Sequence, residues 1–111
     1  MERHSDFKII AAKNPAAELR ALNEKFFNCC EVTEGKNGET LFDGFDIQHW
    51  AVEEFEAVAR KYAEMDSPSE DDGISYMRKG EEPTDDIVEY SNGRTDAHIN
   101  LVLEPTEFEP K

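Results

Sequence analysis

Apolar residues in the first part of the chain change from strand-like to helix-like spacing. The stretch DFKIIAA (6–12) predicts a first strand, and KNPAAELRALNEKFFNCC (13–30) predicts a helix. Asn14 is a suitable cap, and Pro15 occupies an early helical position that tolerates proline. The predicted buried face of this helix consists of Leu19, Leu22, Phe26 and Cys30.

The middle of the chain predicts a hairpin followed by a second helix. In residues 30–46, Asn37-Gly38 supplies the positive φ angles of a tight turn. Asp46 is a plausible cap for a helix over 47–65, which Ser67-Pro68 ends because a residue before proline disfavours helical angles. The apolar stripe of this helix comprises Ile47, Ala51, Phe55, Val58, Tyr62 and Met65.

The last third alternates apolar and polar residues with the period of two that antiparallel strands show. It predicts strands at ISYMRK (74–79), DIVEY (86–90) and AHINLVL (97–103), the last two joined by a turn at Asn92-Gly93. We therefore expect a single α+β domain over 1–111, with a short disordered tail at about 104–111. Its architecture is expected to be an antiparallel sheet of four to five strands with two helices on one face, in a ferredoxin-like element order.

Charge narrows the possible partners. The 111 residues carry 26 Asp and Glu against 12 Lys and Arg, a formal net charge of −14. Residues 1–28 hold five basic and four acidic residues, whereas 29–111 hold seven and twenty-two. Such a chain repels nucleic acid and anionic membranes and favours a basic protein as partner.

Acidic residues concentrate in two clusters around the predicted strand ISYMRK. The first cluster follows the second helix, and the second cluster surrounds the turn before DIVEY. If the strands ISYMRK and DIVEY pair, the two clusters lie at opposite ends of that hairpin, with Glu89 between them. Helices and strands both array carboxylates at spacings comparable to successive phosphates. The predicted partner-binding residues are Glu64, Asp66, Glu70, Asp71, Asp72, Glu81, Glu82, Asp85, Asp86 and Glu89. A purely solubilising role is the alternative.

No pattern in the sequence indicates catalysis, a cofactor or a metal. Cys29 and Cys30 are adjacent, too close to bridge each other, and they lack the spacer of redox motifs. His49 and Glu53 stand one helical turn apart but do not form a His-Glu-x-x-His motif. We expect no enzyme and no cofactor. Trp50, the only tryptophan, is predicted to lie at the core edge or to anchor a partner.

In size, acidity and absence of catalytic motifs the chain resembles small phage-encoded inhibitors of bacterial defence, including anti-CRISPR proteins and DNA mimics. The resemblance implies an inhibitor that occupies a basic nucleic-acid-binding surface of a defence effector. Without a signal peptide or membrane span, such a protein is expected in the cytoplasm of the host cell. The alternatives are an antitoxin or immunity protein that blocks a cationic nuclease, and a small enzyme or ligand-binding domain.

Overall fold

Seven strands and two helices form the part of the chain that the computed structural model describes, residues 4–80 and 87–111. A short 3-10 helix at Glu70–Asp72 precedes the fourth strand. In chain order the elements are β1 (His4–Ala11), α1 (Lys13–Lys25), β2 (Cys30–Glu34), β3 (Thr40–Gln48), α2 (His49–Ala63), β4 (Ile74–Gly80), β5 (Val88–Ser91), β6 (His98–Ile99) and β7 (Pro105–Thr106).

Five of the strands form one antiparallel sheet in the order β2-β3-β1-β4-β5. Strand β1 is central, since it pairs with β3 along one edge and with β4 along the other. The predicted α+β class is confirmed, with a five-stranded antiparallel sheet and two helices. The ferredoxin-like element order stays a prediction.

Both helices pack on one face of the sheet. Phe7, Ile9 and Ala11 of β1 point toward this face and are buried. The rings of Phe7 and Phe55 of α2 lie 5.2 Å apart between centroids, and Leu19 of α1 belongs to the same cluster. The alternate residues of β1 that face the helices thus pack against the apolar stripes of α1 and α2 in one layer. Burial of this apolar layer stabilises the fold.

The opposite face of the sheet is covered by the C-terminal segment, which the sequence did not predict. Ile10, Leu41 and Met77 form a second buried cluster there with Ala97 and Ile99. Strand β6 ends at Ile99 and pairs with β7, instead of extending over 97–103 as predicted. The sheet is therefore buried on both sides.

Residues 104–111, for which a disordered tail was predicted, have defined contacts. Phe108 packs against the second cluster, and a Cβ built on Gly35 would lie 2.6 Å from its ring. The N–H of Lys36 donates to the carbonyl of Glu109 at 2.8 Å. These contacts hold the segment beside the turn between β2 and β3.

Helix α1 ends five residues earlier than predicted, at Lys25. Phe27 and Asn28 both have positive φ angles, 59° and 57°, which turn the chain into β2. Cys30 is buried as expected, but it lies in the strand. At the other end the helix begins at Lys13, so the cap residue is Ala12 and not Asn14 as predicted. The Asn14 amide lies inside the helix and donates to Asp72.

Asp46 is not the cap that the sequence predicted, because β3 continues to Gln48. One extra residue in β3 forms a bulge, since Ser5 pairs with Ile47 whereas Phe7 pairs with Gly44. Asp46 sits in this bulge with a φ of 53°, and its N–H donates to Asp6 at 2.8 Å. The bulge leaves Phe45 largely exposed.

We predict that Phe108→Ala lowers the free energy of unfolding by about 1–3 kcal/mol, because it removes a partly buried ring from the second cluster. Chemical denaturation measures this change. Phe45→Ala is the matched control: its ring is 77% exposed, and we expect a change within about 0.5 kcal/mol. Equal stability of the two variants would show that residues 104–111 do not support the sheet.

Candidate functional site

Four of the predicted partner-binding residues lie close together in sequence after α2, and all four are exposed. Glu64 caps the C-terminal end of α2, Asp66 follows it, and Glu70 and Asp71 begin the 3-10 helix. Within the described residues none of these four carboxylates forms an ion pair. Their charge is therefore available to a partner.

Asp72 is different, because it is buried and holds the fold together. Its carboxylate accepts hydrogen bonds from the Asn14 amide at 2.8 Å and from the Ser69 N–H at 2.9 Å and hydroxyl at 3.0 Å. These hydrogen bonds lower the pKa of Asp72, and the bond from Asn14 has a larger effect than those from Ser69. Asp72 joins the start of α1 to the 3-10 helix and is not part of the exposed acidic surface.

The loop carboxylates share a cavity of about 580 Å³ with acidic residues from two other parts of the chain. Glu70 and Asp71 line it together with Glu39, at the start of β3, and Asp96, in the loop before β6. We call it the acidic cavity; its lining is Ala12, Lys13, Asn37, Gly38, Glu39, Glu70, Asp71, Arg94 and Asp96. Four carboxylates thus face one space that contains two cationic side chains.

Glu39 shows the electrostatic consequence of this arrangement. Burial raises the pKa of Glu39, the charge of Asp96 raises it further, and a hydrogen bond from the Asp96 backbone partly opposes the change. The Oε2 atom of Glu39 is buried without a hydrogen-bond partner among the described residues. A cation brought into the cavity would favour the ionised carboxylate.

Sequence reasoning missed Glu39 and Asp96. Each follows a turn that the sequence did indicate, at Asn37-Gly38 and at Asn92-Gly93. Glu39 and Asp96 come close together because β6 lies on the face of the sheet opposite the helices. The two turns in the sequence do not predict that position of β6.

Of the second predicted acidic cluster, only Glu89 lies within the described residues. Glu81, Glu82, Asp85 and Asp86 lie outside the described residues. Glu89 is exposed on β5 opposite Met77, part-way along β4, and does not line the cavity. Of the predicted residues that the structure describes, only Glu70 and Asp71 line the acidic cavity.

A second surface feature is an aromatic groove of about 320 Å³ between the end of α1 and the start of α2. Phe26 and Trp50 meet edge to face in it, with centroids 5.2 Å apart. The Phe27 side chain is 94% exposed and that of Trp50 is 54% exposed. The aromatic groove is lined by Phe26, Phe27, Cys29, Asp46, Ile47, Gln48, Trp50 and Ala51. Trp50 thus lies at the edge of the core, in contact with Phe26 and about half exposed, and its role as a partner anchor stays a prediction.

Asn23 fixes the turn that presents Phe27. Its buried side chain accepts from the Cys30 N–H at 2.8 Å and donates to the Cys30 carbonyl at 3.3 Å. Its own carbonyl accepts from the Asn28 N–H at 2.7 Å. These three bonds bracket the two residues with positive φ and define the backbone at Phe27.

The cysteines and the histidine that the sequence analysis considered as candidate sites, Cys29, Cys30 and His49, have neighbours in the fold. The Sγ atoms of Cys29 and Cys30 lie 3.9 Å apart as free thiols, and burial is the main cause of the raised pKa of Cys30. His49 Nε2 lies 3.0 Å from Glu53 Oε1. Residues 4–80 and 87–111 contain no group of three or more side chains that could hold a metal ion.

The chain matches no family model, and no curated protein and no solved structure is significantly similar to it. In the described part of the chain, neither helix is long and apolar enough to cross a membrane.

We predict that Glu39→Gln increases the free energy of unfolding at pH 7 by roughly 0.5 kcal/mol, a small value because the site is partly exposed. The folded-state pKa of Glu39 is raised, so its ionisation destabilises the fold increasingly as the pH rises above the ordinary value of 4.5, and fully above the folded-state pKa. The stability gained with glutamine should therefore disappear as the pH falls below 4.5.

Thermal unfolding at pH 7 and pH 4 measures the effect. Glu104→Gln is the control, because it removes the same charge from an exposed position outside the acidic cavity. If both variants gain the same stability at pH 7, the gain comes from the change in net charge and not from the surroundings of Glu39.

Proposed function

We propose that this chain is a binding protein without catalytic activity that places its acidic end against the basic nucleic-acid-binding surface of another protein. By occupying that surface it keeps nucleic acid away. Following the resemblance of the sequence to phage-encoded inhibitors, the partner we propose is a bacterial defence effector in the cytoplasm of the host cell.

The acidic cavity is the observation that carries this proposal. Glu70, Asp71, Glu39 and Asp96 line it together, and Glu64 and Asp66 are exposed in the preceding segment between α2 and the 3-10 helix. The four carboxylates outnumber the cations Lys13 and Arg94 in the same lining, so repulsion between them persists in the free protein. Arg or Lys side chains from a partner would form charge-assisted hydrogen bonds with them. Those same partner side chains hold phosphates when nucleic acid is bound.

The architecture supports the choice of surface. We infer that α1, α2 and strands β1 to β4 form a ferredoxin-like module that β5 extends, because β1 and β3 each lie between two strands joined through a helix. The C-terminal segment covers the face of the sheet opposite the helices. With both faces covered, the ends of the sheet remain for contact with a partner.

A second candidate is a ligand-binding domain, favoured by the size of the acidic cavity and the raised pKa of Glu39. Salt separates the two functions. Binding of a basic protein through surface charge weakens steeply as ionic strength rises, whereas a small ligand held in a cavity depends much less on salt.

We predict that the double variant Glu70→Lys/Asp71→Lys binds the basic partner about tenfold or more weakly, mainly through a slower on-rate, and remains folded. Affinity capture from a bacterial lysate with a salt gradient identifies the partner, and kinetics with the purified partner measure the rates. The nucleic acid carried by the partner should be released when this chain binds.

The matched control is Glu31→Lys/Glu104→Lys, which changes net charge equally at exposed positions outside the acidic cavity. Asp72 is left unchanged because it is structural. If both double variants lose affinity to the same extent, the acidic cavity has no special role. A partner that keeps its nucleic acid while bound would overturn the proposed inhibition.

A further inference from the structure

Phe27 is an aromatic side chain that the described core does not use. It belongs to neither buried cluster and is not among the residues packed against them, whereas its neighbour Phe26 packs against the helix-side core. With 94% of its surface exposed, its ring is left in water at a cost that burial by a partner would recover.

The backbone at Phe27 is also unfavourable for phenylalanine. A φ of 59° belongs to the left-handed region, which costs roughly 1–2 kcal/mol for a residue with a Cβ and which glycine adopts freely. The hydrogen bonds of Asn23 hold this conformation. A position suited to glycine therefore carries a large apolar ring on a backbone whose conformation is held in place, which is a pre-organised arrangement for binding.

The surroundings of the aromatic groove are negatively charged. Asp46 lines the groove with its Oδ1 3.1 Å from His4 Nδ1, and Glu53 lies one helical turn beyond Trp50 with its Oε1 3.0 Å from His49 Nε2. Glu54 adds no net charge, because its Oε1 is 3.1 Å from Lys25 Nζ, so the negative charge comes from Asp46 and Glu53. Carboxylates beside exposed rings favour lysine or arginine, which also interact with aromatic faces.

We propose that the aromatic groove binds a basic segment of the partner protein, in which an aliphatic or aromatic side chain between Lys or Arg residues enters between Phe27 and Trp50. The basic character of this segment rests on the proposed function. A second copy of the chain is a poorer occupant, because it would bring together two molecules of net charge −14.

Trp50 reports directly on this site, because it is the only tryptophan and lies in the aromatic groove. The test titrates the full chain with three short peptides: amphipathic leucine-lysine, serine-lysine of the same charge, and leucine-glutamate. We expect the leucine-lysine peptide to bind most tightly and to shift Trp50 emission to shorter wavelength as the indole leaves water.

The decisive variant is Phe27→Gly, which removes the ring and relieves the strained backbone. We expect it to weaken leucine-lysine binding about tenfold or more while the unfolding temperature stays equal or rises. Leu101→Ser is the matched control, since Leu101 is 68% exposed in the segment covering the opposite face of the sheet. It should bind like the unaltered chain.

The possible outcomes separate the two proposals. Equal binding of both lysine peptides without a shift of Trp50 emission overturns the groove and leaves the acidic surface standing. Failure of every lysine peptide to bind overturns both. Tight binding of the leucine-glutamate peptide would contradict the proposal that the occupant of the groove is basic. A dimer of the chain in sedimentation that the Phe27→Gly substitution dissociates would contradict it as well.

Discussion

The rest of the structure depends on the burial of β1 from four directions. This strand is hydrogen-bonded along both edges, to β3 and β4, and covered on both faces. Phe7 and Ile9 contact the helix layer, while Ile10 contacts the C-terminal segment. A strand in this position leaves little freedom in the register of its neighbours, because a shift by one residue would exchange the two apolar faces.

Covering both faces explains where the charge is placed. Side chains over the sheet must be apolar, so a chain with a net charge of −14 keeps its carboxylates on helix surfaces, strand edges and loops. Partly buried polar groups then link the elements around the sheet. The Asn92 amide donates to the carbonyls of Tyr62 and Asp72, and so links α2, the 3-10 helix and β5. Glu18 likewise accepts from Lys61 and Tyr62 and ties α1 to α2.

The sequence predicted those elements whose local preferences agree with the tertiary structure. The strand ISYMRK and most of the second helix were placed correctly, because alternation and helical spacing are local signals. Asp46 was misread since a bulge extends β3, and the end of α1 was misread since Phe27 has a positive φ that its residue type disfavours. Both errors lie in the aromatic groove, where local preference and the observed backbone disagree.

The acidic site was predicted in part: the exposure of Glu70 and Asp71 follows from the loop, but their approach to Glu39 and Asp96 depends on strand order.

The contact between the C-terminal segment and the turn after β2 also affects the order in which the molecule is completed. The N–H of Lys111 donates to the carbonyl of Glu34 at 2.9 Å, and Gly35 pairs with Pro110. These partners are far apart in sequence, so their contact carries a large loop-closure entropy and cannot form until synthesis has reached residues 110–111. Until then backbone groups at this corner of the sheet stay unpaired and open to another strand, which makes the incomplete chain more prone to association than the finished fold.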